Sequence, residues 1–262
     1  MPELTWHSVG DHLFETGVDR GVLYVDEVGY AWNGLVSVEA SPSGGETRSH
    51  YMDGVKYLNL SGKEEYEATI SAFYSPPEFD ECDGLGTLRP GLFAGQQKRK
   101  SFGFSYRSKV GNDVSGIDHG YKIHVVYNAL ATPSQKGYST IGADPEASLM
   151  NWSITTKPII VSGMLNSSYL VIDTTRSPAA AVQELETILY GSDLGDPRLP
   201  EPSEIVSIFT DSSSFTVTDL GDGLFEISGS DLAVFEVSTD IFEITHDGVV
   251  PIDEDLAQIT SP

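Results

Sequence analysis

The sequence has little of what marks secreted, membrane or disulfide-linked proteins. Cys82 is its one cysteine, so no disulfide can form within the chain, and nothing points to an oxidising compartment. Residues Met1–Leu4 contain neither a basic start nor an apolar run, which predicts no secretion signal. No stretch approaches the ~18 consecutive apolar residues of a membrane helix. We therefore expect no membrane partner.

Positive charge is also scarce. Lys and Arg total 15 against 39 Asp plus Glu, which gives a formal net charge of −24. A surface of this sign repels phosphate, so tight binding to nucleic acid or to anionic membranes is disfavoured. A basic island at Lys98, Arg99 and Lys100, near Arg107 and Lys109, runs against this trend. We interpret it as a contact for an acidic neighbouring subunit; the alternative is a solvated strand entrance.

Motifs of catalysis and ligand binding are absent as well. There is no Gly-x-Ser-x-Gly elbow, no His or Cys spacing typical of zinc, and no phosphate-binding glycine loop. We therefore predict no catalytic residue, no metal site and no cofactor. Cys82 lies between Glu81 and Asp83, whose charges raise a thiol pKa, and it is predicted to be inert. His119 and His124 are expected to be ordinary surface or sheet residues.

The sequence does contain many alternating apolar residues. In Glu65–Tyr74 every second residue is apolar or aromatic and its neighbours are mostly polar or acidic, which predicts a strand with one buried and one wet face. Ser101–Arg107 and Met150–Thr156 repeat the pattern. Further strands are predicted over Val22–Val25, Tyr30–Val38, Val55–Leu60 and Tyr169–Ile172. Another strand, Tyr121–Ala131, is predicted to place five residues on one face: Tyr121, Ile123, Val125, Tyr127 and Ala129. With 39 % apolar residues, 26 Gly and 14 Pro, the chain is predicted to be mainly β.

Helix signals are few. Ser177-Pro178 is typical of an N-cap followed by a first helical residue, and Gly191 is typical of a helix end. Between them an apolar stripe, Val182, Leu185, Ile188 and Leu189, predicts one helix over about 178–190. A second, short helix is predicted over Ser203–Phe209.

Long polar segments separate the strands. Ser41–His50, Ser75–Gly95 and Val110–Gly120 are rich in Gly, Pro, Ser and Asp, and they are predicted to be loops that serve as contact arms in an assembly. Asp53-Gly54 predicts a turn. Asn33-Gly34 is compatible with a hairpin turn or with a bulge inside one strand.

The composition changes near residue 199. From Leu199 to Pro262 there are 14 acids and no Lys or Arg, whereas the first 198 residues carry 25 acids and 15 bases. Alternation continues, with strands predicted around Phe215–Val217, Phe225–Ile227, Ala233–Val237 and Ile241–Thr245 and a turn at Asp219–Gly223. We predict a main domain over 1–209 and a small acidic β appendage over 210–262. The alternative is a set of peripheral strands belonging to the main domain.

Several runs resemble one family, the major tail proteins that form the tail tube of long-tailed, siphophage-type bacterial viruses. The resemblance covers roughly Thr5 to Phe209. The runs that carry it are Thr5–Gly10, Asp19–Tyr24, Ala31–Leu35, Ser41–Glu46, Asp53–Leu60, Phe102–Arg107, Asp118–His124, Trp152–Pro158, Leu189–Gly191 and Asp196–Pro200.

The resemblance implies a tail-tube-type β-sandwich or barrel with one flanking α-helix and a small C-terminal β appendage. It implies subunits that form hexameric rings, stacked into a hollow tube through which DNA passes without sticking. The expected partners are further copies of the chain and other tail proteins (tape measure, initiator and terminator). The expected location is the virion tail, after synthesis in the host bacterial cytoplasm. No catalytic residue or cofactor is implied.

This reading assigns roles to particular residues. Glu65 and Glu67 are candidates for acids that face the lumen, where negative charge denies DNA cationic footholds. Lys98, Arg99 and Lys100 are candidates for contacts between subunits. The candidate ring-stacking residues are Ser41, Gly44, Gly45, Glu46, His50, Pro76 and Pro77.

Two other classes of function compete with a structural subunit. One is a virion-displayed β-sandwich binding module whose acidic appendage meets a host surface or glycan. Trp6, Trp32 and Trp152 are candidate stacking platforms, although aromatic residues in strands usually belong to the core. The other is a glycosidase, which rests only on the abundance of acids and aromatics.

Overall fold

Strand-forming alternation over most of the chain gives a mainly β protein with two helices, as predicted. The computed structural model describes residues 6, 8–138, 140, 147–193 and 195–210, and the backbone of 211, 216–221, 224–228, 233–238, 241–245 and 249–251. The first fourteen strands are β1 (Phe14–Val25), β2 (Val28–Ala31), β3 (Leu35–Ala40), β4 (Ser43–Gly44), β5 (Thr47–Met52), β6 (Val55–Ser61), β7 (Glu64–Glu65), β8 (Glu67–Ala72), β9 (Gly86–Arg89), β10 (Leu92–Ala94), β11 (Phe102–Asn112), β12 (Gly116–Ala131), β13 (Met150–Thr156) and β14 (Tyr169–Asp173). The helices are α1 (Ala179–Tyr190) and α2 (Pro202–Asp211), with a 3-10 turn at Pro77–Phe79.

Eight antiparallel strands form the main sheet. Seven follow one another in the order β2-β1-β11-β12-β13-β8-β3, and the eighth, β14, branches off by pairing with β12. The sixteen-residue β12 pairs along one edge with β11, and its other edge is shared: Lys122–Val126 pair with β14 and Ala129–Ala131 with β13. The sheet curls so that its ends approach, because a Cβ on Gly21 of β1 would lie 2.7 Å from Leu35 Cδ2 of β3. The curled sheet therefore encloses one core, as a barrel does.

An aromatic core fills the space that the curled sheet encloses. The Trp32 ring lies 4.8 Å from Phe79, 5.5 Å from Phe104 and 5.7 Å from Trp152, all between ring centroids and in tilted or edge-on contact. Ile70 and Leu23 are fully buried in the same cluster. Trp32 and Trp152 are therefore core residues, as expected for aromatics in strands, whereas Trp6 is exposed.

The helices cover the outer face of β1, β12 and β14. Val182, Leu185 and Leu189 of α1 pack there against the second face of the strands. Ile205 of α2 joins the same cluster, and the Tyr24 hydroxyl crosses the layer to donate a 2.9 Å hydrogen bond to the Leu189 carbonyl. The sheet thus has two buried faces where the helices lie, which explains why β12 is apolar in both phases.

A bulge in β12 corrects one predicted face. Four of the five residues, Tyr121, Ile123, Val125 and Tyr127, share one face as predicted, and this face packs against the helices. Ala129 lies in the enclosed core instead. Asn128 has φ of +49°, and the register with β11 shifts between Val126 and Ala129. One extra residue reverses the side-chain alternation.

Helix α1 begins one residue later than predicted, and Ser177 does not cap it. The Ser177 hydroxyl donates to the Asp173 carbonyl at 2.8 Å, and no side-chain cap bond forms at the N-terminus. Gly191 ends the helix as predicted, with φ of +82° and its N–H donated to Thr187.

The three predicted loops contain regular structure. Ser41–His50 includes β4 and most of β5; Ser75–Gly95 includes the 3-10 turn and the β9–β10 hairpin; Val110–Gly120 continues β11 and β12 around a turn at 113–115. The polar residues of these segments lie in strands that extend away from the core. Their polar composition therefore indicates exposure to solvent and not the absence of regular structure. Asn33-Gly34 is a turn between β2 and β3, so Tyr30–Val38 is two strands. These strands pair with β1 and β8 and not with each other, so the turn is neither a hairpin turn nor a bulge inside one strand.

Strands continue beyond residue 211. They are β15 (Thr216–Gly221), β16 (Leu224–Ser228), β17 (Ala233–Ser238), β18 (Ile241–Thr245) and β19 (Val249–Pro251). Strand β15 pairs with β16, and β17, β18 and β19 form a second small sheet. Phe215 and the turn residues 222 and 223 lie outside the described residues, and the boundary between a main domain and an appendage stays a prediction.

Among the described residues, no helix combines the length and the apolar character needed to cross a bilayer.

Candidate assembly surface

A β-hairpin leaves the barrel between β3 and β8 and is exposed along its outer strands. We call residues 43–65 the arm. Its base pairs Ser43 with Glu65, and its outer part pairs β5 with β6 from Thr47–Ser61 to Met52–Val55. The turn Asp53-Gly54, predicted from sequence, has φ of +51° and +79°, the conformation that favours Gly at its second position.

The arm is exposed on both of its faces. Every residue of β5 and β6 is exposed, including Tyr51 and Tyr57 at 68 % each. An isolated two-stranded hairpin is only marginally stable in water, because it has no third layer to bury its side chains. We therefore expect that another protein surface covers a hairpin of this length.

The two faces of the arm differ in chemistry. Directly paired residues share a face, so Arg48, Leu60, His50 and Leu58 lie together. The opposite face carries Thr47, Ser49, Asn59 and Ser61. On this face, side-chain hydrogen bonds join the two strands, between Thr47 and Ser61 (3.0 Å) and from Ser49 to Asn59 (2.8 Å). We call the face with Leu58 and Leu60 the apolar face. Covering these two side chains stabilises the arm, because it removes apolar surface from water.

The base of the arm contains several of the predicted contact residues. Gly44 and Gly45 have φ of +80° and +70°, and a side chain on Gly44 would collide with the Lys63 carbonyl oxygen. Ser41, Gly44 and Glu46 are exposed, as is His50 further out on β5. These glycines fix how the arm leaves the barrel; their contact with a neighbouring ring stays a prediction.

The two predicted lumen acids differ in environment. Glu65 is exposed in β7, and Glu67 is half-buried in β8, where the Ser43 hydroxyl donates to its Oε1 at 2.7 Å. The predicted strand breaks at Tyr66, so the two residues belong to separate strands. Glu65 is thus the freer of the two carboxylates.

Pro76 and Pro77 lie beside a second exposed hairpin. Pro76 is buried and Pro77 is exposed at the start of the 3-10 turn, so only Pro77 presents itself to solvent. The following β9–β10 hairpin exposes Leu88, Leu92 and Phe93. It is a smaller exposed apolar patch than the arm.

The basic island is largely engaged within the chain. Lys100 Nζ lies 2.5 Å from Asp26 Oδ2 and 3.3 Å from Glu81 Oε2, and Arg99 donates to the Asp83 carbonyl at 3.0 Å. Lys98 is exposed. Of the three candidates for subunit contacts, Lys98 is the residue whose charge is most available.

Arg107 anchors the sheet to helix α1. It makes two hydrogen bonds to Asp19 (2.8 and 3.0 Å), reaches Glu186 at 3.3 Å, and its guanidinium carbon lies 4.3 Å from the Tyr121 ring centroid. The hydrogen bond from Arg107 lowers the pKa of Asp19. This basic residue has an internal structural role.

The single cysteine is enclosed in the core. Cys82 has no exposed surface, and burial, with Glu81, Asp26 and Asp83 nearby, raises its pKa to about 12 despite Lys100. The sequence predicted the direction from the acids alone; burial is the larger cause.

His124 is a buried sheet residue inside an aromatic stack. Its ring lies 4.5 Å from Tyr106 and 5.8 Å from Tyr169, between centroids and nearly parallel. Its Nε2 is 2.7 Å from the Ser108 hydroxyl and its Nδ1 2.5 Å from the Tyr169 hydroxyl. Burial lowers its pKa to about 4. The neutral imidazole is therefore a structural link between β11, β12 and β14.

Within the described part of the chain, no three His, Cys, Asp or Glu side chains come together in a way that could hold a metal ion.

Two exposed apolar features escaped the sequence analysis. One is the apolar face of the arm, since Val55–Leu60 was identified as a strand without an indication that nothing covers it. The other is the loop between β13 and β14, where Ile160, Met164 and Leu165 are at least 80 % exposed. The signal for that loop was available: Pro158–Ile172 is fifteen residues without a charge in a chain of which 21 % is charged.

No family model and no curated protein matches the chain. Solved structures do match at low identity. A chain of the sheath–tube complex of an extracellular contractile injection system (PVC) in its extended state is 15 % identical, with a TM-score of 0.31 over 59 % of this chain and 89 % of that one.

Two further matches are of the same order. A chain of the sheath–tube terminator of the same system is 14 % identical, with a TM-score of 0.31 over 61 % of this chain and 97 % of that one. A chain of the anti-feeding prophage baseplate is 11 % identical, with a TM-score of 0.32 over 64 % and 97 %. Similarity at this level assigns no function.

Proposed function

We propose that the chain is a structural subunit that assembles with copies of itself into stacked hexameric rings, forming the hollow tail tube of a long-tailed bacterial virus through which DNA passes. The sequence runs from Thr5 to Phe209 that resemble major tail proteins motivate the proposal. The observation that carries it is the arm, a hairpin whose residues Thr47–Ser61 are exposed throughout.

The arm has the properties of a subunit contact. Burial of its apolar face, with Leu58 and Leu60, is stabilising. The outer backbone edges of β5 and β6 pair with no other described strand, so they are available to pair with a strand of another subunit. Arg48 and Lys56 form no ion pair with described residues, while the whole chain carries −24. A second copy of the chain offers an acidic surface for these cations.

The charge of the chain fits passage of DNA. An inner tube wall with excess carboxylates offers no cations to neutralise DNA phosphates, so DNA moves along it without binding. Glu65 and Glu67 are our candidates for such a wall. Tape-measure, initiator and terminator proteins are the further partners proposed, with the virion tail as location.

Negative-stain electron microscopy of the purified protein over a concentration series tests the proposal. We expect rings or hollow tubes of uniform diameter, either spontaneously or on addition of a tail-initiation complex. Dispersed protein at high concentration both with and without that complex contradicts it.

Variants of the arm test the observation behind the proposal. Gly-Gly in place of residues 47–61 shortens the arm where the Gly62 N–H already meets the Glu46 carbonyl at 3.2 Å, so the barrel is retained. We expect this variant to stay monomeric. Leu58→Asp with Leu60→Asp should block assembly, while Ser49→Asp with Asn59→Asp, on the polar face, should affect it less. Tubes of unchanged length and yield from the shortened variant contradict a contact role for the arm.

A further inference from the structure

Two apolar features lie on separate parts of the subunit surface. The first is a groove of about 660 Å³ where β1, β2, β3 and the end of α1 meet, lined by Val18, Trp32, Leu35, Leu189, Tyr190 and Pro197 among others. The second is the loop between β13 and β14, which we call the knob, with Ile160, Met164 and Leu165 projecting from it.

The knob is held in shape by its own chain. Ile159 and Ser167 exchange backbone hydrogen bonds of 3.0 and 3.1 Å, and the Met164 N–H donates to the Val161 carbonyl at 3.2 Å. Val161 is buried and anchors the loop, whereas Leu165 is 91 % exposed. Three large apolar side chains are thus presented on a hydrogen-bonded turn, which lowers the entropy lost when they are bound.

No residue of the knob lines the groove of its own molecule. Strands β1, β11, β12 and β14 are consecutive neighbours, so the two features are separated by three strand spacings, about 14 Å of sheet. A contact between two different surfaces joins copies head to tail, and such a contact closes into a ring when its rotation permits.

Both surfaces are electrically neutral in a strongly acidic chain. Pro158–Ile172 contains no charged residue, and the only charged residues lining the groove are Asp19 and Arg20, which offset each other. Copies that carry −24 each repel one another over most of their surface. Neutral, apolar surfaces are where two copies can approach most closely.

We infer that the knob of one copy inserts into the groove of the next copy around a ring. This contact lies sideways within a ring, so it is separate from the arm, and it rests on the proposed function in that both require assembly of the chain with itself. The partner is a second copy of this chain.

Cysteine cross-linking tests the inference in the full chain. Asn33, exposed at the groove, and Leu165 are replaced by cysteine in one variant. The native Cys82 is fully buried and adds no background. On mild oxidation of assembled protein we expect a ladder of covalent oligomers. The matched control is Asn33→Cys with Val114→Cys, an exposed apolar residue on the β11–β12 turn, and it should give no ladder.

A second measurement separates contact from reactivity. Leu165→Asp should raise the protein concentration needed for assembly at least tenfold, and Val114→Asp should leave it unchanged. If wild-type particles form but the Asn33–Leu165 pair gives no ladder, or no more than the control, the inference is wrong while the proposed function stands. If the wild type forms no particles under any condition and no ladder appears, both are contradicted.

Discussion

His124 makes the stability of the barrel depend on pH. Its pKa is about 4 in the folded protein because the ring is buried, against 6.5 in an unfolded chain, so the unfolded state takes up a proton first as the pH falls. Stability should therefore fall by up to about 2–3 kcal/mol between pH 7 and pH 4. Glu15 and Lys122, which also influence this ring, act in opposite directions.

Urea unfolding of His124→Gln and of the wild type between pH 7.5 and 4.5 measures this effect. The variant should lose most of the pH dependence in that window, while His50→Gln, at an exposed position, should retain it. Carboxylates such as Asp19 and Glu204, whose pKa values are lowered by Arg107 and Arg198, add a further loss at more acid pH in all three proteins. Equal slopes for His124→Gln and wild type would show that another group is responsible.

Cys82 should report unfolding. With a pKa near 12 and no exposed surface, about 10⁻⁴ of the thiol is ionised at pH 8, and the reagent cannot reach it. We expect labelling of the native protein by an aromatic disulfide reagent to be at least a hundredfold slower than labelling in urea. A Cys82→Ser, Val114→Cys variant, with the thiol on an exposed turn, should react at the same fast rate in both conditions. Rapid native labelling of Cys82 would mean that this part of the core opens readily.

At the level of elements, sequence patterns predicted many strands but did not indicate which strands pair. Alternation located β8, β11, β12 and β13, and glycine and turn chemistry located Gly191 and the Asp53-Gly54 turn. The arm was divided between a loop and a strand because β5, Thr47–Met52, has no buried face and so no apolar period. Pairing with β6 makes it a strand, and pairing is not a local property of sequence.

The turn of the arm offers a test that separates assembly from folding. Gly54 has φ of +79° with open space where a Cβ would point, so Gly54→Ala costs only the backbone strain, about 1–2 kcal/mol. Since β5 and β6 are exposed, this strain should weaken the arm and leave the thermal midpoint of the subunit unchanged. Tube yield should fall.

The matched variant is Gly116→Ala, at φ of +61° and equally open, on the turn of the main β11–β12 hairpin. There the same backbone strain should lower the free energy of unfolding. A fall in the thermal midpoint for Gly54→Ala would indicate that the arm packs on its own subunit and is not free to contact another.

At the scale of the whole molecule, charge and exposed apolar surface are distributed in ways that only the fold makes visible. The basic island predicted from sequence is mostly paired with acids that are distant in sequence, such as Asp26 with Lys100. The groove also depends on tertiary structure, because β1, β3 and the end of α1 meet only in the folded chain. A local sequence pattern indicates the chemistry of its residues, but it does not indicate which of them remain exposed in the folded chain.

The assignment of Glu65 to the lumen is testable in assembled tubes. Glu65→Lys changes the charge of each subunit by two units at an exposed site in β7. If that site lines the lumen, the introduced lysines of the ring supply phosphate contacts, and DNA should be retained inside the tube with an affinity that falls steeply with salt. The readout is DNA protected from nuclease after incubation with tubes and washing at low salt.

Glu184→Lys is the control because it makes the same charge change on an exposed position of α1. DNA that binds on the outside of a tube is digested, so Glu184→Lys tubes should show little protection even if they attract DNA. Protection of DNA by Glu65→Lys tubes that is lost at higher salt would place Glu65, at the base of the arm, on the lumen. Equal protection by both variants, or by neither, would move Glu65 away from the channel, and the acids of another surface would then have to keep the passage free of cationic contacts.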